Sequence, residues 1–260
     1  MRKKTLARLA TVLIVPIAAL GAGIVYATNA NAIANGEVVP EGKFRFSVKL
    51  TMTGIPTADG GRRNSACSGA LIAPQWVVTA GHCFRDFNGV RQDRPVADLT
   101  TATVGRADLN GTGGQVATVI AVRQSPTNDL SIAKLDVPIR GIKPIQLARS
   151  APDVGDLVRL TGYGSTTSTN PTPSQLLRTG QFTVASVTDS TVLVTGFAPQ
   201  PDTTPCPYDS GAPYFVESRW SPPKLVAVES NGPSCPHTQQ ETTSRVDNIR
   251  GWIYRTMSSV

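Results

Sequence analysis

Three short stretches of the sequence carry the residue types that nucleophilic catalysis requires. One sets His82 beside a cysteine at the end of an apolar run, the second opens an apolar run with Asp129, and the third holds Ser210 between proline and glycine residues. The stretches are WVVTAGHC at residues 76–83, NDLSIAKL at 128–135 and CPYDSGAP at 206–213. Histidine, aspartate and serine thus follow one another along the chain in that order.

These three side chains form a chemically complete set. A serine hydroxyl is a weak nucleophile until a neighbouring base removes its proton. An imidazole accepts and returns a proton near neutral pH, and a carboxylate beside it holds the required tautomer and stabilises the imidazolium. We therefore expect Ser210 to be the nucleophile, His82 the general base and Asp129 the residue that orients it. His237, the other histidine, lies in no comparable motif, and we expect it in a surface loop.

The motifs around these residues resemble those of the trypsin/chymotrypsin family of serine proteases, in its secreted bacterial form. The order His, Asp, Ser is also that family's, and it differs from the order in subtilisins and α/β-hydrolases. Further similar stretches are IANG at residues 33–36, TGYG at 161–164 and SNG at 230–232. The resemblance covers residues 33–260 and implies a secreted serine endopeptidase that cleaves peptide bonds through an acyl-enzyme on Ser210.

The stretch around the serine departs from the family's usual GDSGGP, because Tyr208 replaces the first glycine and Ala212 the last. By resemblance, the backbone N–H groups of Tyr208 and Ser210 form the oxyanion hole. A tyrosine adopts the positive φ that a glycine permits only at an energetic cost. Together with Asn231, which stands where an aromatic residue is common, these departures motivate an alternative function. The alternative is a catalytically silent, protease-like binding module.

The first 32 residues have the composition of a secretory signal peptide. A basic start and an apolar run at residues 9–27 precede Ala-Asn-Ala at 30–32, which matches a cleavage site. We expect cleavage after Ala32 and secretion, with an uncleaved membrane anchor as the alternative. By resemblance, the freed α-amino group of Ile33 then pairs with Asp209, because that buried carboxylate would be unfavourable unpaired. A short propeptide is the alternative to this direct maturation.

The four cysteines are expected to form disulfides, since an exported chain meets an oxidising environment. Spacing alone leaves three connectivities open. Metal binding is a weaker interpretation, because the sequence has no CxxC motif and only two histidines. The resemblance implies the bonds Cys67–Cys83, beside the histidine, and Cys206–Cys235, beside the serine.

The resemblance also points to a substrate pocket, whose expected residues are Thr204, Ser230, Gly232 and Glu241. Thr204 would lie near the base of the pocket and Gly232 at its entrance. A carboxylate from Glu241 on the pocket wall would favour lysine or arginine in the substrate. A solvated loop glutamate is the alternative interpretation of this residue.

The elements that must position these residues are mostly short strands. Apolar residues alternate with polar or small ones in runs such as 46–52, 117–122 and 182–187, and turn residues separate the runs. This pattern indicates an all-β, antiparallel sandwich or barrel. Helical spacing of apolar residues predicts one C-terminal helix at about 246–258. The resemblance implies two chymotrypsin-like, six-stranded β-barrels, the first at about 33–145 and the second at about 146–245.

Composition excludes several other functions. The chain has 260 residues, of which 40% are hydrophobic and 17% charged, and a formal net charge of +7. The signal segment holds four basic residues and no acid, so residues 33–260 carry 21 basic and 18 acidic side chains, or +3. This balance is too weak to indicate nucleic-acid binding. We expect a monomer that acts on polypeptides, without metal or cofactor and without stable membrane association once the signal is removed.

Overall fold

The structure of the chain is a computed structural model that describes residues 33–259. The signal peptide expected at residues 1–32 lies outside the described residues. The described part contains fourteen β-strands and one α-helix. Twelve of the strands form two closed barrels, and the remaining two are short additions to the second barrel.

The first barrel closes in the strand order β2-β3-β4-β7-β6-β5, with every neighbouring pair antiparallel. Its strands are β2 (Ser47–Pro56), β3 (Arg62–Ala73), β4 (Trp76–Thr79), β5 (Leu99–Val104), β6 (Gln115–Gln124) and β7 (Ser131–Leu135). Successive side chains of a strand point to opposite faces, so alternate apolar residues such as Val48, Leu50 and Met52 fill the interior. The period-2 pattern of the sequence therefore becomes a continuous barrel core.

The second barrel is built in the same way from the later strands. They are β9 (Leu157–Gly162), β10 (Arg178–Val187), β11 (Thr191–Ala198), β12 (Pro213–Val216), β13 (Lys224–Asn231) and β14 (Glu241–Arg245). Strand β9 pairs with both β10 and β12 and closes the ring. The short strands β1 (Glu37–Val38) and β8 (Gln146–Leu147) pair with β10 and β13. The prediction of two six-stranded antiparallel barrels is confirmed.

The C-terminal helix α1 runs over Arg250–Ser259 and begins four residues later than the sequence pattern predicts. The chain between β14 and α1 stays bound to the sheet, since the Val246 N–H donates to the Val226 carbonyl. Ile253 is buried against the core of the first barrel, although α1 follows the second barrel in the sequence. Among residues 33–259, no helix is long and apolar enough to cross a membrane, and α1 is too short.

The two barrels meet along β2 and β9, and the loops beside this contact hold the residues that the sequence singles out. His82 lies in a 3₁₀ turn, Gly81–Phe84, that directly follows β4. Asp129 lies in the connection between β6 and β7, and Ser210 lies in the loop that precedes β12. The side chains of Ser47 on β2 and Thr161 on β9 are hydrogen-bonded at 2.8 Å across the contact.

Candidate active site

His82 lies between Ser210 and Asp129 in a continuous line of short contacts. Its Nε2 is 2.7 Å from the Ser210 Oγ, and its Nδ1 is 2.7 Å from the Asp129 Oδ2. The His82 and Asp129 side chains are each 25% exposed, so the line opens to solvent at one side. The three sequence motifs, which are more than 40 residues apart from one another, thus meet at one point.

The backbone of His82 is held from two sides. Its N–H donates to Asp129 Oδ1 at 2.9 Å, so the carboxylate binds the backbone with one oxygen and the imidazole with the other. The disulfide Cys67–Cys83 joins the 3₁₀ turn to β3. Imidazole orientation therefore follows from the fold rather than from a free side-chain rotation.

Asp129 is held as a carboxylate despite its partial burial. Burial alone would raise its pKa, but hydrogen bonds from His82 and Ser230 and the charge of the imidazolium outweigh this and lower the pKa to about 2. The Ser230 hydroxyl donates to Oδ2 at 2.7 Å. A carboxylate accepts hydrogen bonds only, so the His82 Nδ1 carries a hydrogen and Nε2 is free to accept the proton of Ser210.

The loop that carries Ser210 is tied to the first barrel through Ser68 on β3. The Ser68 N–H donates to the Ser210 carbonyl at 2.9 Å, and its hydroxyl donates to the Tyr208 carbonyl at 3.2 Å. Gly211, at φ 83°, packs so closely on Thr79 that a Cβ there would overlap the threonine hydroxyl. The loop therefore requires glycine after the serine, as the motif has it.

The two N–H groups expected in the oxyanion hole lie side by side in this loop. Within residues 33–259, neither the Tyr208 N–H nor the Ser210 N–H donates to another protein group. Tyr208 has φ 77°, the left-handed conformation that disfavours a tyrosine. Its hydroxyl donates to the Pro171 carbonyl at 3.4 Å, which anchors the ring on the loop after β9. Both donors thus remain available for a ligand oxygen.

Asp209 is fully buried behind the same loop. The N–H groups of Cys206 and Gly164 donate to it at 3.0 and 2.7 Å, and its carboxyl group packs on Gly164 where a Cβ would not fit. Burial raises the pKa of Asp209 to about 7. The two hydrogen bonds, the charge of Lys49 and a hydrogen bond from the Ile33 N–H act in the opposite direction and lower it. The structure thus brings Ile33, itself buried, to Asp209.

Two cavities are lined in part by Ser210. One, of about 610 Å³, is lined by His82, Phe87 and Tyr208 among others. The other, of about 370 Å³, is bounded by the disulfide Cys206–Cys235 and by the end of β13.

Three of the four expected pocket residues line the smaller cavity, namely Ser230, Gly232 and Glu241. The fourth, Thr204, does not line it. Thr204 is buried beside Ala34, to whose carbonyl its N–H donates at 3.2 Å. Its hydroxyl makes no hydrogen bond within the described residues.

Glu241 is not a solvated loop residue, because it begins β14 with only 1% of its surface exposed. Its carboxyl group lies against Gly232, where a Cβ would overlap it. Burial and the nearby Asp209 raise its pKa to about 8. Glu229, also buried, accepts from the Tyr214 hydroxyl at 2.9 Å, and burial raises its pKa well above the usual range.

His237 lies in a loop, but its side chain is not at the surface as the sequence analysis predicts. Its side chain is 6% exposed, and its Nε2 lies 2.6 Å from the Glu241 Oε1, although the two groups are not aligned as a conventional hydrogen bond. Burial lowers its pKa and favours the neutral imidazole. The sequence offers one hint of this contact, the spacing of four residues between His237 and Glu241. Such a spacing predicts a contact only within a helix, and these residues are not in one.

Comparison with known proteins agrees with this geometry. A sequence profile of the family described as Trypsin matches residues 33–253. The chain is 27% identical to "Serine protease SP24D" of Anopheles gambiae, over 86% of this chain and 81% of that protein. It is 27% identical to "Transmembrane protease serine 9" of Rattus norvegicus, over 85% of this chain but only 21% of that protein. It is 25% identical to "Serine protease 56" of Mus musculus, over 91% of this chain and 41% of that protein.

Proposed function

Because the chain belongs to the trypsin family, we propose that it is a secreted serine endopeptidase, active as a monomer on polypeptides. The line of contacts from Ser210 through His82 to Asp129 is the observation that carries the proposal. The proposed protease domain is residues 33–260, with barrels at about 33–145 and 146–245. No metal, cofactor or nucleic acid takes part in the proposed reaction.

The proposed reaction begins with the proton of Ser210. His82 Nε2 takes this proton as the Oγ attacks the carbonyl carbon of the substrate. The imidazolium that forms is stabilised by the Asp129 carboxylate, then gives the proton to the leaving amine. Water, activated by the same imidazole, releases the acyl group from Ser210.

The negative oxygen of the tetrahedral intermediate needs fixed donors. The N–H groups of Tyr208 and Ser210, both without a protein acceptor in the described chain, support this role. The carbonyl groups of Tyr208 and Ser210 both accept hydrogen bonds from Ser68, which holds the loop in place. The two N–H donors therefore do not have to reorganise as charge develops. The backbone strain of Tyr208 is a cost that the neighbouring hydrogen bonds offset.

Covalent labelling with a fluorophosphonate tests the proposal directly. The reagent reacts with a serine only when a base and an oxyanion site activate it. The secreted protein should be labelled with one equivalent, on Ser210, and labelling should disappear after heat denaturation. Absence of labelling by native protein that is folded and disulfide-bonded would instead favour the silent binding module.

Maturation at Ile33 is a separate prediction. N-terminal sequencing of the secreted protein should begin at Ile33, since Ala-Asn-Ala at residues 30–32 fits a signal cleavage site. The freed ammonium would then lie at Asp209, next to the carboxylate that the Ile33 N–H already contacts. A first residue upstream or downstream of Ile33 would exclude the proposed ion pair.

Glu241 is proposed to select lysine or arginine before the scissile bond. At about pH 9, where Glu241 is ionised, Glu241→Gln should lower kcat/KM for such substrates at least about tenfold. The kcat/KM for apolar substrates should change by less than about twofold, because only the cationic substrates lose an ionic partner. Since burial raises the pKa of Glu241 to about 8, the preference for basic over apolar substrates should grow as the pH rises from about 6 to about 9.

Peptide substrates that differ only in the residue before the cleaved bond provide the measurement. The ratio of two kcat/KM values cancels the pH dependence that both substrates share. Glu37→Gln, an exposed glutamate on β1, is the matched control and should leave the ratio unchanged. If Glu241→Gln lowers kcat/KM equally for basic and apolar substrates, Glu241 does not select the substrate.

A further inference from the structure

Lys49 is a buried lysine that the proposed reaction does not use. It lies on β2 with 4% of its surface exposed, where the first barrel packs against the second. Burial lowers its pKa to about 8, while the negative charge of Asp209 acts to raise it. A lysine is costly to bury without polar partners, so its surroundings are expected to compensate for its charge.

The Lys49 ammonium binds one side of a single peptide group. Its Nζ donates to the Tyr163 carbonyl at 2.9 Å. The N–H at the other end of the same peptide group, that of Gly164, donates to Asp209 Oδ1 at 2.7 Å. A cation on the carbonyl polarises the peptide group and strengthens its N–H as a donor. Lys49 therefore acts on Asp209 both through this peptide group and through its charge.

The same segment holds the oxyanion loop at a second point. The Tyr163 N–H donates to the Ser68 hydroxyl at 3.0 Å, and that hydroxyl donates to the Tyr208 carbonyl at 3.2 Å. Tyr163 thus has its carbonyl on Lys49 and its N–H in a chain of hydrogen bonds that leads to Tyr208. Movement of Tyr163 would disturb both Asp209 and Tyr208.

We propose that Lys49 is a positioning residue for the oxyanion loop, and that it keeps Asp209 and the Tyr163–Gly164 peptide group in place before the Ile33 amine is released. The inference rests on the proposed protease function. While Ile33 is joined to Ala32, its nitrogen is an uncharged peptide nitrogen, and Lys49 is the cation that acts on Asp209. Cleavage then adds a second cation at the same carboxylate.

The test compares two forms of the protein, one with a free Ile33 amine and one with a Gly-Ser extension before Ile33. In the extended form, Lys49→Met should lower kcat at least about 50-fold with KM changed less than about threefold, because the oxyanion hole acts in the transition state. In the free form the loss should be about fivefold or less, since the ammonium compensates. Wild-type protein should stay active in both forms.

The comparison between forms separates positioning from general destabilisation. A purely structural loss would be the same in both forms, and that result would overturn the inference. Full loss of activity in the wild-type protein with the Gly-Ser extension would overturn the inference as well. So would a Lys49→Met variant whose kcat in the extended form equals that of the extended wild type. Inactivity of the free wild type towards both peptides and fluorophosphonate would instead contradict the proposed function itself.

Two further variants keep the test decisive. Lys134→Met removes a lysine from β7 of the same barrel and should change kcat by less than about twofold in either form. Lys49→Gln keeps a hydrogen-bond donor for the Tyr163 carbonyl but removes the charge. If Lys49→Met fails to fold, Lys49→Gln should show the same dependence on the N-terminus, and no difference between its two forms would reject the inference.

Discussion

Replacement of Ser210 by alanine is expected to lower kcat for peptide hydrolysis by about 10⁵- to 10⁶-fold while leaving KM nearly unchanged. The Oγ is the atom that His82 Nε2 reaches, at 2.7 Å, and alanine leaves the imidazole with no proton to take. The proposed substrate contacts with Gly232 and the pocket do not involve the Ser210 hydroxyl, so binding should persist. Initial rates on a chromogenic peptide provide the measurement, with the wild type titrated by fluorophosphonate and the variant quantified as folded protein.

The control is Ser186→Ala, which removes a serine hydroxyl from β10 without touching the site. Purified Ser210→Ala should also resist labelling and self-cleavage, while its thermal unfolding temperature stays close to that of the wild type. Retention of about 1% or more of wild-type kcat, in protein free of contaminating protease, would assign the nucleophile to another residue.

Asp129→Asn should lower kcat by about 10⁴-fold at neutral pH, through the tautomer of His82 rather than through its position. The His82 N–H donates to Oδ1, so the asparagine oxygen should take that place and its NH₂ should take the place of Oδ2. The NH₂ would then face both the imidazole Nδ1 and the Ser230 hydroxyl. Nδ1 would become an acceptor, Nε2 would carry the hydrogen, and Ser210 would lose its base.

This prediction is checked by kcat together with the state of the imidazole. The ¹⁵N chemical shifts of His82 should show hydrogen on Nδ1 in the wild type and on Nε2 in Asp129→Asn. Asp153→Asn, on the exposed connection that precedes β9, is the matched control. A loss of only about tenfold would mean that neither the charge of Asp129 nor the tautomer that it sets contributes much, and an unchanged tautomer would assign the loss to charge alone.

The sequence was sufficient to predict the residues that meet at Ser210, because each lies in a motif whose chemistry constrains its neighbours. His82 needs small residues before it where β4 turns, and Ser210 needs Gly211 because Thr79 leaves no room for a side chain. The antiparallel β architecture was predictable from the alternation of apolar residues, as in β10, where Phe182 and Val184 are buried and their neighbours in the sequence are more exposed. The division into two six-stranded barrels was predictable only from the resemblance to the family.

Other features depend on contacts between segments that the sequence does not relate. The burial of His237 against Glu241 requires the fold of the loop before β14. The resemblance to the family places Thr204 in the pocket, yet its backbone pairs with Ala34. The late start of α1 has the same origin, since the hydrogen bond from the Val246 N–H to the Val226 carbonyl keeps this part of the chain on the sheet.

The position of α1 has a consequence for when the proposed active site can first form. Ile249 and Ile253 complete the core of the first barrel, which also receives Phe215 and Leu225 from the second. Contacts between such distant parts of a chain form late in folding. The first barrel, which carries His82 and Asp129, therefore completes its core only after residues near 253 have been synthesised. If the chain is the secreted protease proposed above, its activity would then arise only once the whole chain has been exported.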